Sequence, residues 1–115
     1  MPLNRPHSHE LISSVQEYLL QQPQDPKADL FYRRVAANVL GIVQREQQMA
    51  AGFCDQERVA LQEYLNSTVT DIALLNQQLA QAIDNGDLAI TPQLTNMLLQ
   101  LAQAKLNIDN PKYLR

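Results

Sequence analysis

Apolar residues recur along the chain at intervals of three and four, the period of an α-helix, and no sustained strand-like alternation interrupts them. The pattern predicts an all-α bundle of about five helices, at residues 8–22, 26–51, 55–65, 67–85 and 92–109. Leu11, Ile12, Val15, Tyr18 and Leu19 share a face of the first helix, with Ser8 as its N-cap. Asp25 followed by Pro26 starts the second, because an aspartate cap followed by proline satisfies and preorganises a first turn. Gly52 is placed to end that helix. The third carries Val59, Leu61, Tyr64 and Leu65, and Ser67 or Thr68 caps the fourth, which closes at Gly86; a single kinked rod over the third and fourth is the other reading. Thr91-Pro92 repeats the start signal, and Asn110-Pro111 ends the fifth helix, since a residue before proline avoids helical angles. Short connections imply antiparallel neighbours in one domain over 1–115, with 1–7 a flexible N-terminus and 110–115 a tail that Tyr113 and Leu114 anchor.

The second helix is the most informative. Phe31, Val35, Val39, Ile42, Val43 and Met49 form a broad apolar face, and Arg34, Asn38, Gly41 and Arg45 run as a stripe along its border. Border arginines ordinarily lay their stems on a core and keep their heads in water. Three polar residues fall inside apolar arcs instead: Glu46 on helix two, Asn76 on helix four and Lys105 on helix five. Buried polar groups require partners, and buried charges require them more. Asn76 is therefore expected to be buried and hydrogen-bonded. Glu46 and Lys105 are expected to meet as an internal clamp between helices two and five, with an arginine or the Tyr113 hydroxyl as the substitute partner.

Size and charge narrow the function. A chain of 115 residues is long enough for a core without disulfides or metal. Its net charge of -3 and pI near 5.2 disfavour nucleic-acid binding, and no apolar run is long enough to span a membrane. The opening residues "MPLNRPHSHE" lack the apolar stretch of a signal peptide, and Cys54 is the only cysteine, so the expected location is cytoplasmic. His7 and His9 have the spacing of two metal ligands but no third histidine, so no metal or other cofactor is expected. No phosphate loop, dinucleotide fingerprint or assembled nucleophile set is present, and the reading leans away from an enzyme without catalytic residues to name.

The segments "RPHSHELISSVQEYL", "FYRRVAANVLGIVQRE", "GDL" and "AKLNIDNPKYL" resemble an uncharacterised family of small bacterial helical proteins, a domain of unknown function. The resemblance runs from Arg5 to Leu114 and is most specific in "RVAANVLGIVQRE" with "KLNIDNPKYL"; "CDQERVALQEYLNSTVTD" departs most. Matching positions are Arg34, Asn38, Arg45, Glu46, Lys105, Asn110, Pro111 and Tyr113. Such proteins are encoded beside kinases similar to aminoglycoside phosphotransferases and beside acyl-CoA dehydrogenases. The resemblance implies an accessory, protein-interaction role in acyl-CoA-related metabolism, with that kinase as partner or with self-association. Leu20, Leu74 and Leu99 lie off the main apolar faces and are the candidate interface. The rival reading is an enzyme or small-ligand binder. In it Arg34, Asn38, Arg45, Glu46 and Lys105 line a polar pocket for an acyl-CoA or a phosphate-bearing metabolite.

Overall fold

The computed structural model describes residues 6–114, which form four α-helices: α1 (Ser8–Leu20), α2 (Pro26–Leu65), α3 (Ile72–Asp84) and α4 (Pro92–Asp109). A short 3-10 helix, Pro111–Leu114, follows, and no strand occurs among the described residues. The expected flexible N-terminus falls largely on residues 1–5, outside those described, as do the Leu114 side chain and Arg115.

The expected second and third helices are one continuous helix of 40 residues. Gly52 does not stop it. Ending a helix at glycine requires a left-handed residue, and Gly52 keeps helical angles. Phe53, Glu57 and Leu61, one turn apart on the same face, are all buried just beyond it. Packing that face outweighs the roughly 1 kcal/mol that an interior glycine costs. The true stop is Asn66, in the left-handed conformation at φ 51°, which asparagine tolerates better than most residues. The next helix is capped by Asp71 rather than by Ser67 or Thr68: its Oδ1 accepts from the Ala73 and Leu74 amides at 2.9 and 3.3 Å. Asp25 and Thr91 cap as the sequence indicates, accepting from the Lys27 amide at 3.0 Å and the Leu94 amide at 3.2 Å.

α2 is the spine of the molecule. Its C-terminal half packs against α3 and α4, both antiparallel to it, around Leu61, Leu75, Leu79 and Leu94. The Tyr64 hydroxyl meets Thr91 Oγ1 at 3.3 Å at one end of the α2–α4 pair, and Arg45 reaches Ile108 at the other. The N-terminal half of α2 packs against α1. That hairpin buries little: Val15 is the one buried residue of α1. The outline is correspondingly long, 58 × 28 × 25 Å, with a radius of gyration of 18.5 Å where a compact chain of this length has about 13 Å.

Candidate functional site: polar positions on α2 and an open helical hairpin

The polar residues singled out from the sequence separate into distinct places. Arg34 and Asn38 are exposed on the N-terminal half of α2. Arg45 is partly buried, and its Nε donates to the Ile108 carbonyl at 2.8 Å. That carbonyl belongs to the last turn of α4, where acceptors lack helical partners, so Arg45 acts as a cap on a neighbouring helix. Gly41, one turn earlier, makes room for it: a Cβ there would stand 3.2 Å from Arg45 Nη1.

Lys105 does not clamp to Glu46. Its Nζ lies 2.6 Å from Asp109 Oδ2, one turn along α4, and no ion pair joins it to Glu46 among the described residues. The physical reason is local reach. A lysine needs no helix-to-helix alignment to meet a carboxylate one turn away, and Asp109, at the negative end of the helix, is itself relieved by a cation. Helices α2 and α4 are neighbours, as that expectation required, and Glu46 is buried. Tyr113 is exposed and does not anchor the tail.

Asn76 is half-buried and hydrogen-bonded, and its partner is a residue that the sequence reading passed over. Its Nδ2 donates to Glu57 Oε1 at 2.7 Å and to the Ile72 carbonyl at 3.1 Å. Glu57 is only 1% exposed. The signal was available: Glu57 stands eleven residues after Glu46, which returns to nearly the same side of an unbroken helix. Cutting the helical wheel at Gly52 hid it.

The three candidate interface leucines do not form one patch. Leu74 and Leu99 are exposed on α3 and α4, around the C-terminal half of α2. Leu20, 80% exposed, ends α1 on the hairpin. Far more apolar surface is open on the hairpin than the leucine pattern suggested. Leu19, Leu30, Phe31, Tyr32 and Val35 are all exposed there. Between the helices runs an apolar cleft of about 200 Å³, lined by Leu11, Ser14, Val15, Tyr18, Tyr32, Val35, Ala36 and Val39. The hairpin is held at its turn by the Tyr18 hydroxyl, which donates to the Asp29 carboxylate. This bond to an acceptor raises the Tyr18 pKa above the ordinary tyrosine value, with burial and the Asp29 charge adding to it. Tyr32 packs beside Tyr18, ring centres 5.9 Å apart, and against Phe31 at 5.6 Å.

The cause of this exposure is the length of α4. On α2, Phe31, Val35, Ile42, Met49 and Phe53 fall on one side of the helix, at successive spacings of four, seven, seven and four. α4 covers the later part of this stripe and ends at Asp109, beside Arg45. Phe53 is thus 4% exposed and Phe31 62%.

These features define an all-α protein with a three-helix head and a projecting two-helix arm, both built on one long helix. Residues 23–113 match the family model of a domain of unknown function, DUF6285, and the chain belongs to that family. Neither a curated protein nor a solved structure matches the chain.

Proposed function

We propose that this chain is a non-enzymatic accessory protein that works through protein–protein contacts, with the α1–α2 arm as an interface. The observation that carries the reading is the open apolar surface of the arm, at Leu20, Phe31 and Val35 above all. Large apolar side chains left this open in number on one hairpin cost solubility and are kept where something covers them. The polar positions add support. Arg45 and Lys105 are engaged with Ile108 and Asp109, in capping and ion pairing, rather than converging with Arg34 and Asn38 on one pocket.

The resemblance to proteins encoded beside phosphotransferase-like kinases supplies the functional setting: service to such a kinase in acyl-CoA-related metabolism, in the bacterial cytoplasm. Co-expression of the chain with the adjacent kinase and co-purification through a tag on the kinase tests this. Stable co-elution is expected. Separate elution at micromolar concentrations of both proteins overturns the kinase assignment.

A further inference from the structure

We propose that the occupant of the arm's apolar face is a second copy of this chain, so that two α1–α2 hairpins complete a four-helix bundle. This rests on reading the arm as an interface and goes further by naming what covers it.

Surface area carries the first part of the argument. A folded monomer of 13.0 kDa exposes about 6,300 Å², whereas this chain exposes 8412 Å². The excess, about 2,000 Å² over the whole elongated chain, leaves room for the roughly 800 Å² per partner of a standard interface. Two antiparallel helices also form only half of the smallest common bundle, and the missing half has the same shape as the half present. The continuity of the α2 stripe locates the join. α4 covers it as far as Met49 and then stops, so a helix from the second copy takes up the same side of α2 at Phe31 and Val35.

Charge supports a copy over an unrelated partner. Lys27 and Arg34, seven residues apart, flank Phe31 on α2, and all three are exposed. Glu10 and Glu17, also seven apart and exposed, flank Ser14 on the side of α1 where the cleft opens. The face therefore carries two charges of each sign at its borders. It offers no uniform field to a strongly acidic or basic partner, and two copies meet without net repulsion.

The test is sedimentation velocity and light scattering on the full chain between 5 and about 200 μM, with far-UV circular dichroism as the check on folding. The parent is expected at twice 13.0 kDa. Phe31→Asp and, separately, Val35→Glu are expected to weaken the dimer by about 30-fold or more, as loss of a central anchor does, with helicity kept. Leu99→Ser, on α4, is expected to leave the dimer intact. A monomeric parent at the highest concentration overturns the proposal, and so does a dimer untouched by both arm variants. A monomer that co-purifies with the kinase overturns the second copy alone; a dimer that ignores the kinase overturns the kinase assignment alone.

Discussion

Replacing Asn76 by alanine removes the side chain that donates to a glutamate packed into the core. The Asn76 Nδ2 to Glu57 Oε1 bond is 2.7 Å long, and Glu57 is 1% exposed. A hydrogen bond to a charged group contributes about 1.5–3 kcal/mol, against about 1 kcal/mol for a neutral pair. Asn76→Ala is therefore expected to cost about 1.5–3 kcal/mol, at roughly 4 °C of melting temperature per kcal/mol for a chain of this size. Asn76→Asp keeps the shape and sets a second carboxylate against the first, so its loss is expected to exceed that of Asn76→Ala. Urea unfolding followed by circular dichroism at 222 nm gives these numbers, with an unchanged m-value showing that the folded states are comparable. A double-mutant cycle with Glu57→Gln isolates the pair, and a coupling of about 1 kcal/mol or more is expected. An Asn76→Ala loss below about 0.5 kcal/mol, the level of an ordinary surface change, refutes the reasoning. Strict additivity in the cycle does so equally.

Gly52→Ala is expected to stabilise by about 0.5–1 kcal/mol in the same urea assay, since the site is mid-helix and a Cβ there meets nothing within 4 Å. Arg45→Ala is expected to cost about 1–2 kcal/mol and to speed amide exchange in the last turn of α4, whose Ile108 carbonyl it caps. Tyr18 is expected to ionise above the ordinary tyrosine value in an alkaline absorbance titration, and Tyr18→Phe to remove that late component. Its folded pKa is raised, so the folded chain holds the proton longer. The contribution of the Tyr18–Asp29 contact is then complete below about pH 10, the ordinary tyrosine value, and is lost as pH rises through the folded value. Unchanged titration in the phenylalanine variant contradicts this.

The helix starts and stops written in short-range chemistry were legible. Asp25-Pro26, Thr91-Pro92 and Asn110-Pro111 mark boundaries that the structure keeps, because a cap or a proline acts on its own first turn. Gly52 was misread because glycine stops a helix only where the following chain turns away, and here Phe53 and Glu57 are held in the core. Asn76 could be placed on an inward face from its neighbours, yet its partner depended on the phase of a helix that had been cut in two. The Glu46–Lys105 clamp failed differently. Asp109, four residues after Lys105, is the nearer carboxylate, and reach along one helix outweighs pairing across two. The arm was legible only as an apolar face, since periodicity shows which side of a helix avoids water but not whether the same chain is long enough to cover it.

A helix of 40 residues rises about 60 Å, which matches the full 58 Å length of the molecule. Because α2 runs through Gly52 without a break, it serves as a ruler as well as a scaffold. The arm is held at a set distance and a set angular phase from the head, with no break in the helix between them to absorb an error. Lengthening α2 by one residue near Gly52 would rotate the arm by about 100° against the head, while inserting seven would nearly restore the phase and move the two apart by about 10 Å. Spacing between arm and head, in such a molecule, is written into the sequence as a count of residues.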